Sequence, residues 1–187
     1  MILIIGLGNP GEQYEKTRHN TGFMLLDELK EALGFPEFRL AKEHKALVSA
    51  GKADGEDVLL AKPETYMNES GKAAKSLASY FKIKTDNIYV VHDEADLPLG
   101  EFKIKEGGTA GGHKGVQSII EALGSKDFIR LRIGIASDDP SYSLPLQKGE
   151  GLESVVLKNF SVAEKELLLE TFGKAVPAII SKIFIEK

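Results

Sequence analysis

Ile2-Leu3-Ile4-Ile5-Gly6-Leu7-Gly8-Asn9-Pro10-Gly11 stands at the head of the chain, an unbroken apolar run that stops abruptly in a turn-forming loop. Such a run predicts a strand buried on both faces, and in open α/β sheets ligands bind at the carboxyl ends of such strands. Gly6, Gly8 and Gly11 match the G-x-G-x-x-G spacing of dinucleotide-binding loops. The context argues against that reading. Pro10 removes a backbone donor, and no helical period begins before Phe23. No second strand ending in an acidic residue follows at the required distance, because Asp27 and Glu28 fall inside the next helix. What the loop holds instead is a crowd of polar residues, Asn9, Tyr14, Thr17, Arg18, His19 and Asn20, between a core strand and a helix.

The whole chain, 187 residues with 42% hydrophobic content, suits a single globular domain over residues 1–187. It has no cysteine, which excludes disulfides and thiolate metal sites. No signal-like segment precedes the first strand, so the expected compartment is the cytoplasm. No apolar run approaches the roughly 20 residues that cross a bilayer, and no membrane association is expected. The net charge of −4 disfavours indiscriminate nucleic-acid binding, and any RNA contact has to use a local basic patch.

Downstream, the period changes to helical from Thr21, with Phe23, Leu26, Leu29, Lys30 and Leu33 on one face and Gly34 and Pro36 closing it. Two strand-like runs, 45–53 and 56–62, are joined at Asp54-Gly55, a hairpin signal. His44 just before them has no partner in sequence and reads as solvated. A polar loop around Asn68 and Ser70, residues suited to helix capping, leads to a helix with Ala73, Ala74, Leu77, Ala78 and Phe81 buried. Residues 87–92 predict a buried strand ending at Asp93, Glu94 and Asp96, an oxygen-rich set that would also suit Mg²⁺. Lys103 and Lys105 alternate along a short strand, as do Arg130 and Arg132 along the strand 128–135, and together they offer the basic patch.

Between those strands, four glycines at 107, 108, 111 and 112 precede a helix over 116–123, a plausible phosphate cradle without a P-loop pattern. There His113 is expected to bond the loop backbone rather than to serve catalysis. Residues 137–151 are too polar to pack and read as a mobile loop, a candidate cover for the site whose closure the sequence leaves open. Ser161 and Glu164 form a capping box for a last helix with Leu167, Leu168, Phe172 and Val176 buried and Pro177 kinking or dividing it. The fold class expected is α/β: one domain with a mixed, twisted β-sheet flanked by α-helices.

Four blocks of the chain carry a resemblance. G-L-G-N-P-G-x-x-Y-x-x-T-R-H-N-x-G from Gly6 to Gly22, K-P-x-T-Y-M-N-x-S-G from Lys62 to Gly71, H-D-E-x-D-x-P-x-G from His92 to Gly100 and V-L-x-x-F from Val156 to Phe160 occur in order. This pattern resembles the bacterial peptidyl-tRNA hydrolase family. The resemblance implies hydrolysis of the ester between a peptide and the 3′-terminal ribose of tRNA, by a monomer that uses no metal or cofactor. It implies His19 as general base on a water and Asp93 as the carboxylate that orients it, with Asn9 and Asn68 holding the carbonyl and peptide backbone. It implies substrate contacts at Tyr14 and Tyr66, and a grip on the tRNA 5′ phosphate by Lys105 and Arg132. Where family members carry asparagine, this chain has Lys114, which cannot imitate an amide because it offers three donors, no acceptor and a full charge. Lys114 is therefore expected to turn from the peptide groove toward acceptor-stem phosphates. Because the family also has splicing-factor relatives, the rival expectation is a non-catalytic RNA-binding protein of the same fold.

Overall fold

The computed structural model describes residues 1–185. Its β1 (Ile2–Gly6) has no exposed face: all five residues are buried. Parallel neighbours flank it, β4 (Glu56–Pro63) on one side and β5 (Ile88–Pro98) on the other, with β7 (Ile129–Ala136) parallel beyond β5. Antiparallel strands complete the two edges. On the β4 side they are β3 (Ala46–Ala53) and the short β2 (Arg39–Ala41), and on the β7 side β6 (Phe102–Glu106). The sheet order is β2-β3-β4-β1-β5-β7-β6. The mixed sheet and the flanking helices agree with the α/β expectation.

Alternation along β1 divides the core. Ile2 and Ile4 pack with Leu25, Leu26 and Leu29 of α1 (Thr21–Leu33) and with Phe172 and Ile179 of α6 (Val162–Phe184). Leu3, Ile5 and Leu7 face the other way, onto Ala73, Ala74 and Leu77 of α2 (Ser70–Tyr80) and Val116 and Ile119 of α3 (Lys114–Leu123). Each Leu, Ile, Val or Phe side chain among these contributes about 1.5–3 kcal/mol through burial. Two glycines let α1 approach the strand ends. A Cβ on Gly22 would lie 2.4 Å from the Leu7 nitrogen and the Val91 oxygen, and one on Gly6 would lie 2.4 Å from the Gly22 oxygen. This contact seats the start of α1, and the residues just before it, directly over the carboxyl ends of β1 and β5.

Several expectations need correction. The strand that should have ended at His92 continues to Pro98, paired with β7 through a register irregularity between Glu94 and Pro98. The stretch 137–151 is not a loose loop. It contains α4 (Pro140–Gln147), capped by the Asp139 side chain, with Tyr142 and Pro145 buried, and α5 (Leu152–Val156) follows. His44 is buried: its Nδ1 lies 2.9 Å from the Ser76 hydroxyl, and its ring stacks edge-on against Tyr80. Neither Asn68 nor Ser70 caps α2. The Ser70 hydroxyl donates back to the Met67 carbonyl at 2.9 Å. Phe81 and Leu167 are largely exposed rather than buried, while Leu168, Phe172 and Val176 are core residues as expected. Helix α6 runs through Pro177 without dividing. Among the described residues no helix is long and apolar enough to cross a membrane.

Candidate active site

The segment between β1 and α1 makes two 3-10 turns, and the second, Arg18–Asn20, hangs over the sheet's carboxyl edge. His19 reaches down to β5, where its Nδ1 lies 3.0 Å from both carboxylate oxygens of Asp93. A second imidazole reaches the same carboxylate from α3: His113 Nε2 is 2.9 Å from Asp93 Oδ1. The helix start fixes which nitrogen of His113 carries hydrogen. Its Nδ1 accepts from the backbone N–H groups of Gly115 and Val116 at 3.2 and 3.4 Å, so Nε2 is the N–H end that donates to Asp93. His113 thus bonds the loop backbone, as expected, and also belongs to the site, which was not expected. With Asp93 accepting from both rings, His19 holds its proton on Nδ1 and keeps the Nε2 lone pair free.

Asp93 is almost completely buried. Burial by itself would push its carboxyl up, but the facing His19 and His113 more than offset this and hold it well below the usual carboxylate range. His19, Asp93 and His113 also form a group whose ligand atoms lie within 4.8 Å of one another, the geometry of a metal cluster. The donor set is already used otherwise. Both nitrogens that face the carboxylate are N–H ends, and freeing His113 Nε2 for a metal would undo its helix cap.

Asn9 is buried and rigidly seated. Asn20 clamps its backbone from both sides, accepting from the Asn9 N–H and donating to the Asn9 carbonyl, each at 2.9 Å. Its side-chain oxygen accepts from the Met67 N–H at 2.8 Å, so the amide is oriented with Nδ2 as the remaining donor. This bond brings the 3-10 turn Met67–Glu69, and with it Asn68, beside the loop after β1. Asn68 and Lys114 share the wall of a groove of about 300 Å³ bounded by the Met67–Glu69 turn, the glycine loop and α3. Tyr66 is exposed at the turn's entry, and Tyr14 is half-buried in the first 3-10 turn. A larger cavity of about 810 Å³ opens on the α1 side of Asn9. On its wall lies the Lys62 ammonium, whose pKa burial holds below the ordinary lysine value although Asp27 accepts from it at 2.5 Å.

The basic strip is narrower than the sequence suggested. Lys103 faces Arg132 across the β6–β7 ladder, and Lys105 faces Arg130. Arg130 is buried, donating to the carbonyls of Thr109 and Gly107, so it braces the glycine loop and offers no charge to a partner. Arg132 is partly exposed and pairs with Glu94 through Nε at 2.8 Å and a terminal nitrogen at 2.6 Å. Lys103 and Lys105 are exposed. Two of the free N–H groups in the first turn of α3, those of Gly115 and Val116, are taken by His113 Nδ1 and so are not available to a phosphate. Lys114 reaches Glu153 on α5 at 2.5 Å, both side chains exposed.

Besides His113, sequence reasoning assigned no role to Asn20, which clamps the first asparagine, to the Met67 backbone, which orients its amide, or to the buried Arg18. The R-H-N string was the signal for Arg18 and Asn20, since three consecutive polar residues on a core strand's exit loop need partners if they are buried.

Fold and site together define a class: an α/β domain whose parallel strands end in an imidazole–carboxylate pair and a fixed amide, the equipment of general-base hydrolysis. The chain belongs to the peptidyl-tRNA hydrolase family, whose model matches residues 3–187. It is 44% identical to the peptidyl-tRNA hydrolase of Akkermansia muciniphila, over 95% of this chain and 87% of that protein. It is 42% identical to that of Aquifex aeolicus, over 98% of this chain and 90% of the other. The solved structure of peptidyl-tRNA hydrolase from Acinetobacter baumannii superposes with a TM-score of 0.85 at 31% identity, covering 98% of this chain and 88% of that one.

Proposed function

We propose that the chain hydrolyses the ester joining a peptide to the 3′-terminal ribose of tRNA, with His19 as the base. The observation that carries this reading is the His19–Asp93 pair, with Nδ1 on the carboxylate and Nε2 unengaged. Nε2 takes a proton from a water, and the resulting hydroxide oxygen bonds to the ester carbonyl carbon. Asp93 stabilises the imidazolium formed. Asn9 Nδ2 and the Asn68 amide donate to the carbonyl as it gains negative charge, a role supported for Asn9 by the orientation that the Met67 N–H gives its amide. The carbon–oxygen bond to the ribose then breaks, and the imidazolium returns its proton to the departing ribose oxygen. The logic is that of a catalytic triad with water in place of the serine.

The RNA lies on the β6–β7 side, where Lys103, Lys105 and Arg132 supply the positive charge that the acidic chain otherwise lacks. Tyr14 and Tyr66 flank the 3′ end. Lys114 adds charge at the groove rim in exchange for its exposed pair with Glu153, and the protein acts as a monomer on the acceptor stem and 3′ end. Against the reading as a non-catalytic RNA-binding protein stands the buried cost of the His–Asp–His cluster, which RNA binding does not require.

A release assay on labelled peptidyl-tRNA tests the proposal. His19→Ala should lower kcat by about 10²–10⁴-fold while binding of deacylated tRNA survives, the usual cost of a lost general base. Near-normal turnover by this variant would rule His19 out as base.

A further inference from the structure

Arg18, immediately before His19, carries the bulkiest of the fully buried side chains, and none of its polar contacts touch the groove. One terminal nitrogen donates to the carbonyls of Lys158 and Asn159 at 3.3 and 3.0 Å. The other donates to the Ser141 hydroxyl at 2.8 Å and to both carboxylate oxygens of Glu164 at 2.8 and 2.7 Å. The guanidinium lies over the rings of Tyr142 and Phe160, 5.6 and 5.2 Å from their centroids. The neighbouring backbone follows the same course: the Arg18 N–H donates to Lys158 O at 3.1 Å, and Thr17 bridges Asn159.

A buried ion pair of this kind is weak evidence for stability, since apolar residues of similar volume would serve as well or better. Its geometric content is high, because a planar guanidinium fixes direction as well as distance. Here it fixes α4 through Ser141, the turn after α5 through two carbonyls, and the start of α6 through Glu164. All of these close on the one residue that precedes the base.

We infer that Arg18 is a positioning residue for His19, holding the 3-10 turn Arg18–Asn20 at the height from which Nδ1 meets Asp93. The stretch from α4 to the start of α6 is then part of the catalytic apparatus as its rear support, not a cover over it. The inference rests on His19 being the base. Seating a catalytic group to within a fraction of an ångström is what rates depend on, and a misplacement of about 1 Å costs on the order of 10²-fold.

The test uses Arg18→Lys, which keeps the charge and loses the fork, together with Ser141→Ala and Glu164→Gln as milder cuts in the same network. Ile179→Val in the α6 core serves as a control for general destabilisation. All are assayed on peptidyl-tRNA at a temperature where circular dichroism shows them folded. Arg18→Lys should lose about ten- to a hundredfold in kcat with KM within about twofold, and the hydrogen-bonded His19 Nδ1 proton, observed by NMR, should broaden or vanish. Ser141→Ala and Glu164→Gln should show the same change in smaller degree, and Ile179→Val should not. If Arg18→Lys does not fold, the two milder variants decide by the same readouts. Folded network variants with near-normal kcat and an intact Nδ1 resonance would overturn the inference. Retained turnover in His19→Ala would instead overturn the base assignment on which it rests.

Discussion

Two imidazoles share the Asp93 carboxylate, and a third histidine lies behind them. His92 is buried, its Nδ1 donates to the Asp93 carbonyl at 2.7 Å, its Nε2 has no hydrogen-bond partner among the described residues, and its ring meets His113 edge-on at 4.8 Å. Burial, with help from the neighbouring His113, lowers its pKa from the ordinary 6.5 to about 3. The native protein therefore refuses a proton that the unfolded chain accepts near pH 6.5. As pH falls from about 6.5 toward 3, unfolding becomes easier, with a slope of up to about 1.4 kcal/mol per pH unit from this group. Below about pH 4, Asp93 adds a loss of the same sign, because its native carboxyl stays ionised while the unfolded one protonates. Urea unfolding between pH 7 and pH 4.5 should show this decline, and His92→Gln should flatten it by about one proton; an equal slope in the variant would show that His92 is not its source. Asp93→Asn should cost about 10²–10⁴ in kcat, since an amide carries no charge to stabilise the imidazolium and its NH₂ group offers His19 a donor that favours the wrong tautomer. Steady-state kinetics check it. At this scale the dyad was legible through the motif strings, but the fate of single charges was not. The parity of Arg130 and Arg132 is plain in the sequence, yet only the glycine loop folding back over Arg130 decides that one is buried and the other half-exposed. His44 likewise needed α2 to arrive before it had a partner.

Helix ends were well signalled where a side chain does the capping. Ser161 and Glu164 form the reciprocal box at the start of α6, with Ser161 Oγ accepting from the Glu164 N–H at 3.3 Å and Glu164 accepting from the Ser161 N–H at 2.8 Å. Ser161→Ala should lower stability by about 1 kcal/mol, read as a shift in urea midpoint without a change in slope. The α4 segment was misread because its composition is that of a loop. The signal was present all the same in Asp139-Pro140, an acceptor at the cap followed by proline at the first helical position, and the structure shows both in those roles. What the sequence could not supply was the reason a helix with weak amphipathicity holds there. That reason is Arg18, whose contacts with Ser141 and Tyr142 come from the other end of the chain. The approach of α1 to the sheet makes a sharper prediction. Gly22→Ala would drive a methyl into two backbone atoms at 2.4 Å, so it should yield little folded protein, whereas Gly34→Ala meets no atom and should cost only its left-handed turn, with φ of 66°. Yields of soluble protein and thermal melts compare the two.

Over the whole molecule, Asp93 lies on β5 with His19 on the turn after β1, and the basic strip occupies the next two strands of the sheet, β7 and β6. Lys103, Lys105 and Arg132 thus gather at one edge of a chain whose net charge is −4. Replacing Lys105 and Arg132 together by alanine should raise KM, leave kcat largely unchanged and flatten the dependence of KM on salt by a slope of one to two, because fewer condensed counterions are released. An unchanged salt slope would show that the strip is only a solvated edge. Most strands, and the hairpin at Asp54-Gly55, follow from apolar or alternating runs and turn residues, whereas the pairing of Thr17 and Arg18 with residues near 159 spans a separation that no local pattern reports. The same separation has a temporal meaning. The partners of Arg18 lie 123 to 146 residues downstream, and ribosomes add about 5–20 residues each second, so an emerging chain carries His19 for roughly 6–30 s before the groups that seat it exist. During that interval the chain is itself a peptide esterified to a tRNA. On the proposal that His19 is the base and Arg18 seats it, the seat is completed only when the chain's own α6 has been made.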